Sequence, residues 1–160
     1  MEVFYGSTMV VKVPLVHAGR ANLDFGKGFY VTSLRTQAMS WACRPANAGK
    51  QRWLNVYDLD VDSLKQCCKV KIFPAYDEEW LDFVMECRQG GNVWQAYDAV
   101  RGGIADDRIF NTIELYTAGI ISKEETLSRL VYEKPNNQIC IISQEVADRY
   151  LRFISSEELL

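Results

Sequence analysis

The chain is poor in the residues that build metal and disulfide sites. It has one histidine, His17, and five cysteines at no Cys-x-x-Cys spacing, two of them the adjacent Cys67 and Cys68. A zinc site needs a cluster of such ligands at fixed spacing, so none is expected. The odd cysteine count suits a reducing compartment better than a disulfide scaffold. Long apolar runs are also missing: no stretch reaches the ~18 residues of a membrane span. Met1-Glu2-Val3-Phe4-Tyr5 lacks the basic and apolar regions of a signal peptide, which leads us to expect a cytoplasmic protein. Excess positive charge is absent as well. Eighteen Lys and Arg against 21 Asp and Glu give a net charge of −3, arguing against a broad non-specific grip on nucleic acid but leaving room for a local basic groove.

What remains is an ordinary globular composition, 48% hydrophobic and 24% charged over 160 residues, which predicts one domain spanning 1–160 with a real core. Neither an internal repeat nor a linker interrupts it. Strands are expected at Val3–Ser7, Phe29–Thr32, Trp53–Asp60, Cys68–Phe73, Tyr97–Arg101 and Gln138–Ile142, with a closing strand at Arg152–Ile154. Helices are expected after Leu34, after Asp77, from Asp106 or Asp107 to Gly119, after the capping box Ser122-Lys123-Glu124-Glu125, and from Gln144 to Leu151. Pro135-Asn136-Asn137 reads as a turn. Strands mixed with helices without regular alternation indicate the α+β class.

The chain is organised around Asp24-Phe25-Gly26-Lys27-Gly28-Phe29-Tyr30-Val31-Thr32-Ser33. Two glycines flank a lysine, then a β-branched and aromatic run enters a strand. A helix follows in which Leu34, Ala38, Trp41 and Ala42 repeat at helical spacing. Local pattern alone fits a glycine turn leading into an ordinary amphipathic helix.

Phe25-Gly26-Lys27-Gly28-Phe29-Tyr30 followed by Gln37-Ala38-Met39-Ser40-Trp41 resembles the nicotinamide-pocket segment of the ADP-ribosyltransferase superfamily, closest to its poly(ADP-ribose) polymerase and diphtheria-toxin branch. Over nearly all its length the chain resembles a small bacterial family of unassigned function in that superfamily, some members of which sit beside a candidate antitoxin. The resemblance implies a split β-sandwich with peripheral helices, NAD as co-substrate, a macromolecular acceptor and an antitoxin partner. It also implies roles for single residues. Tyr5-Gly6-Ser7 stands where a histidine-glycine-serine motif is expected, so Tyr5 replaces the ribose-contacting histidine and Gly6 keeps its backbone for the nicotinamide amide. Tyr30 and Trp41 would stack on the nicotinamide ring, with Phe25, Gly26, Lys27 and Gly28 as the pocket loop. Ala38 stands where that branch has an amide-binding serine.

The third motif, Asn137-Gln138-Ile139, carries Gln138 in place of the catalytic glutamate. Its amide oxygen accepts a hydrogen bond from a ribose hydroxyl but brings no charge and removes no proton. Losing one such electrostatic partner commonly costs about 10²–10³ in rate. Asp107, with Asp106 beside it, is the first candidate for a replacement acid, against its reading as a routine helix cap. Arg20 and Lys27 are the cations for the pyrophosphate, and His17 a remoter stand-in for the missing histidine. The expected function is NAD-dependent ADP-ribosyl transfer in a toxin–antitoxin or defence setting. The rival is a module that binds NAD, ADP-ribose or a protein without turnover.

Overall fold

The structure is a computed structural model and describes residues 1–103, 107–133 and 138–160, with the side chain of Asp107 left out. Seven strands form one mixed sheet: β1 Glu2–Ser7, β2 Phe29–Thr32, β3 Trp53–Leu59, β4 Val70–Ile72, β5 Ala99–Gly102, β6 Gln138–Ile141 and β7 Leu151–Glu158, in the order β4-β5-β6-β2-β1-β3-β7. All neighbours are antiparallel except β4 and β5. Among the described residues six α-helices flank it: α1 Arg35–Ala42, α2 Val61–Cys67, α3 Glu78–Arg88, α4 Asp107–Thr117, α5 Lys123–Leu130 and α6 Gln144–Tyr150. The α+β class read from the sequence holds.

Most elements start where their capping chemistry is written. The Asp77 carboxylate accepts from the Trp80 N–H at 2.9 Å and opens α3, and the Ser122 hydroxyl does the same for Glu125 in α5 at 3.1 Å. Three expectations change. Helix α2 occupies residues the sequence reading left unassigned, fixed by Asp60, which accepts from the backbone N–H and hydroxyl of Ser63. It shortens the strand expected over Cys68–Phe73 to Val70–Ile72. The closing strand is longer than three residues because β7 pairs along the whole of β3. The expected turn at 135–137 lies outside the described residues.

The two faces of the sheet are covered differently. On one, Val3, Phe29, Val31, Tyr57, Leu59, Ile139 and Ile141 pack with Leu64 of α2 and with Val146 and Ala147 of α6. On the other face there are two separate clusters. Phe4, Leu54 and Val56 lie under Ala38 and Met39 of α1. Val100 and Cys140 lie under the α3–α5 layer, where Trp80, Leu81 and Val84 meet Ile109, Ile113 and Leu130. Each fully buried Val, Leu, Ile or Phe among them contributes roughly 1.5–3 kcal/mol by leaving water. Between these two clusters runs the boundary of β1 and β2.

Candidate functional site

Strand β1 is zipped to β3 over every residue from Glu2↔Asp58 to Ser7↔Trp53. Toward β2 it has one pair, Phe4↔Thr32. The register says which way each backbone group points. Met1 and Leu59 exchange both hydrogen bonds, at 2.9 and 2.8 Å. Antiparallel pairing alternates, so Val3, Tyr5 and Ser7 direct their N–H and C=O at β3 while Phe4 and Gly6 direct theirs at β2. Phe4 finds Thr32. Gly6 would come opposite Tyr30, but the ladder stops before that pair, so the Gly6 N–H and C=O face β2 without a ladder partner.

Glycine at position 6 has a local cause. A Cβ there would lie 1.8 Å from the Ala38 carbonyl oxygen and 2.9 Å from the Ala42 nitrogen. Helix α1 therefore presses directly on Gly6, and the small Ala38 and Ala42 are its contact face. Met39 turns toward β3 to join Phe4, Leu54 and Val56. On the opposite flank the Thr32 hydroxyl donates to Gln37 Oε1 at 2.5 Å. Trp41 follows Gln37 by four residues, so it projects from that same flank one turn further on. It is half-buried and belongs to none of the three core clusters.

Paired residues of adjacent strands share a face, and this assembles two rows. Phe4, Thr32, Gln138 and Gly102 form one, while Tyr30, Cys140 and Val100 continue the line of Gly6 in the other. Gly6, Tyr30 and Gln138, singled out separately in the sequence, thus lie on one face of the sheet near the end of the β1–β2 ladder. Tyr30 is locked in place. Its hydroxyl donates to the Gly26 carbonyl at 2.5 Å and accepts from the Phe25 N–H at 3.1 Å. Burial and then the neighbouring Cys140 thiol hold its phenol well above the ordinary tyrosine value, so it is neutral. Gln138 is 3% exposed, and no hydrogen bond from its side-chain amide occurs among the described residues.

Tyr5 takes the opposite face, its ring 4.6 Å from that of Phe29. Burial raises its pKa, and Arg44 and then Arg20 pull the other way. Arg44 was not among the sequence candidates. Its three-residue distance from Trp41 was the only signal, because its approach to Tyr5 depends on how the chain turns after α1.

Other expected pocket residues are placed elsewhere. Phe25 is fully buried, stacked on Phe73 and edge-on to Phe83, so it is core and not a pocket wall. Gly26 has φ +84°, which requires glycine, and Trp94 covers it: a Cβ would be 2.2 Å from the indole. Gly28 abuts the Ile141 carbonyl and the Cys140 sulfur. The two glycines thus serve packing and turn geometry. Lys27 between them is half-buried. The Ser7 hydroxyl is fully engaged, donating to Met9 O at 2.5 Å and accepting from Asn55 Nδ2 and the Met9 N–H. It fastens a loop and has nothing left for a ligand. His17 is exposed in a short 3-10 turn. Asp107 opens α4, and its side chain, with Asp106 and Asn137, lies outside the described residues. Among the described residues no three His, Cys, Asp or Glu converge as for a metal, and no helix is long and apolar enough to cross a membrane.

A family described as a protein of unknown function (DUF3990) matches residues 1–153, and the chain belongs to that family. No curated protein and no solved structure matches it.

Proposed function

We propose, for this member of a family of unknown function, that the seam between β1 and β2 binds the nicotinamide end of NAD and that the protein is an NAD-dependent ADP-ribosyltransferase. The observation that carries this reading is the interrupted ladder at Gly6. A carboxamide has one acceptor and one donor side, and the N–H and C=O of a single extended residue match both. The flat ring would lie between Tyr30, whose position is fixed by its own loop, and Trp41 on the flank of α1. The finer fold expected from the resemblance, a split β-sandwich, is supported by the two half-sheets β4-β5-β6-β2 and β1-β3-β7 meeting through one residue pair.

In the reaction the bond between ribose C1′ and the nicotinamide nitrogen breaks, and its electron pair leaves with nicotinamide. An acceptor lone pair then forms the new bond to C1′. Gln138 would orient a ribose hydroxyl, and Tyr5 would lie toward the sugar and phosphates. No carboxylate among the described site residues replaces the missing base, so acceptors that are already nucleophilic are favoured: a phosphate, a carboxylate or a nucleobase nitrogen. An intracellular toxin held by an antitoxin is the setting we propose. The buried, uncharged Gln138 also favours a second reading, a domain that binds NAD or ADP-ribose without turnover.

Incubation with labelled NAD and a cell lysate tests the first reading. Label on a macromolecule with release of nicotinamide is the expected result. Neither product, with NAD binding retained in calorimetry, leaves the second reading. No binding at all removes both.

A further inference from the structure

Strand β7 ends the sheet, and among the described residues its outer side has no neighbouring strand. It runs for eight residues, and an uncovered edge of that length is a template for another strand. Its register with β3 shows which backbone groups are left over. Met1 and Leu59 bond to each other across β1 and β3, so the odd-numbered residues of β3 face β1 and Leu54, Val56 and Asp58 face β7. Their partners Glu157, Ser155 and Arg152 are therefore turned inward. Between Phe153 and Ser155 the register shifts, and Ile154 is the extra residue of a bulge. Leu151, Phe153, Ser156 and Glu158 turn their N–H and C=O outward. Among the described residues no turn or loop backbone takes these groups up.

We propose that this edge pairs with the same edge of a second copy of the chain, antiparallel about a two-fold axis, so that one sheet runs through both copies. Only one such register pairs all four outward residues: Phe153 opposite the partner's Ser156, and Leu151 opposite the partner's Glu158. The bulge then decides what else meets. Because Ile154 adds one residue between Phe153 and Ser156, Arg152 comes opposite the partner's Glu157, twice by symmetry. Arg152 and Glu157 share the α1 face, since they pair with Asp58 and Leu54 on either side of Val56. Their side chains are 80% and 53% exposed, and each already holds one ion partner, Asp58 at 3.4 Å and Arg35 at 2.5 Å. Pairing would extend these into a row of alternating sign: Asp58, Arg152, the partner's Glu157, the partner's Arg35. Opposite charges directly across two strands favour their pairing. Ile154, 50% exposed, lies beside the axis and would be covered. An edge that complements itself in hydrogen bonding and in charge at one register names a second copy as its occupant. The inference does not depend on the NAD reading, because β1 and β3 separate this edge from the seam.

Sedimentation equilibrium on the full chain tests this. The wild-type mass is expected to rise with concentration from one chain toward two. Arg152→Glu and Glu157→Arg each set like charges opposite one another and should each weaken the dimer about tenfold or more, with native circular dichroism. An equimolar mixture of the two variants should dimerise again, because every cross-strand pair is then of opposite sign. Ser156→Pro, which removes an outward N–H and none of the ladder to β3, should also weaken association. A wild type that stays monomeric up to about 1 mM overturns the proposal. So does a dimer that both charge reversals and Ser156→Pro leave intact, since its interface then lies elsewhere. A mixture of the two reversals that associates no better than either alone overturns the register.

Discussion

The two edges of β1 present the same kind of backbone to two neighbours and receive different treatment. Toward β3 the strand is paired at every residue, and Asn55 adds a fastening of its own. Its Nδ2 reaches Tyr5 O, Ser7 Oγ and Met9 O, and its Oδ1 accepts from the Val11 N–H. Toward β2 one pair holds, and the ladder stops before Gly6 and Tyr30. Gly6 is half-buried, so its N–H and C=O are satisfied by solvent or by a ligand that takes its place. The closed edge is explained by stability alone. The open edge is the place where a ligand would complete the fold.

Substitutions separate these two roles. The largest effect is expected from Gly6→Ala, whose methyl would meet the Ala38 carbonyl, a backbone atom that no side-chain rotation relieves. We expect about 3 kcal/mol of lost stability in urea unfolding. A near-neutral result would mean that α1 does not press on the strand. Next is Asn55→Ala on the closed edge. It strands the Val11 N–H and takes one bond each from Tyr5 O, Ser7 Oγ and Met9 O, at a cost of about 2 kcal/mol, and should speed amide exchange over Met9–Val11. NAD affinity should change little, because Asn55 touches Tyr5 only through the backbone carbonyl, which the β1–β3 ladder also holds.

Gln138→Glu sharpens the open edge. A carboxylate there should raise the release of nicotinamide from NAD by about tenfold, equivalent to ~1.4 kcal/mol in the barrier. Desolvation would lift the pKa of so buried an acid, so the gain should emerge as pH rises through that lifted value. No gain at any pH would place Gln138 away from the ribose. The smallest effect belongs to the start of β1. Asp58 pairs with the amino terminus at 3.0 Å, which together with Arg152 lowers its pKa. A lowered folded value means the stabilisation is present above the unfolded pKa and is lost as pH falls through the folded one. Asp58→Asn should remove that slope from urea unfolding measured between neutral pH and about pH 3. An unchanged slope would show that the pair is screened by solvent.

Much of this was legible in the sequence. Ser122-Lys123-Glu124-Glu125 and Asp77-Glu78-Glu79 announce their helices because caps are local chemistry. Helix α2 escaped because it has one turn of apolar contact, through Leu64, and its Asp60 cap follows directly on a strand. The site was legible as a set of residue types and illegible as an arrangement. Nothing in Phe25-Gly26-Lys27-Gly28 says that Trp94 and Cys140, from distant parts of the chain, will fill the space its glycines leave. Ser7 reads like a ligand residue until Asn55 is seen taking its hydroxyl. Gln138 reads equally well as a solvated strand start, and only its pairing to both Thr32 and Gly102 buries it. Arg44 has no local mark at all.

The amide of Gly6 reports on the open seam more directly than any activity. In a two-dimensional amide spectrum of protein labelled at glycine nitrogen, titration with nicotinamide should shift the Gly6 resonance most. Those of Gly49 and Gly119, whose surroundings are open, should stay still. A saturating shift at Gly6 is the predicted result. Nicotinamide that leaves Gly6 unmoved, at concentrations where other resonances shift, would contradict the account.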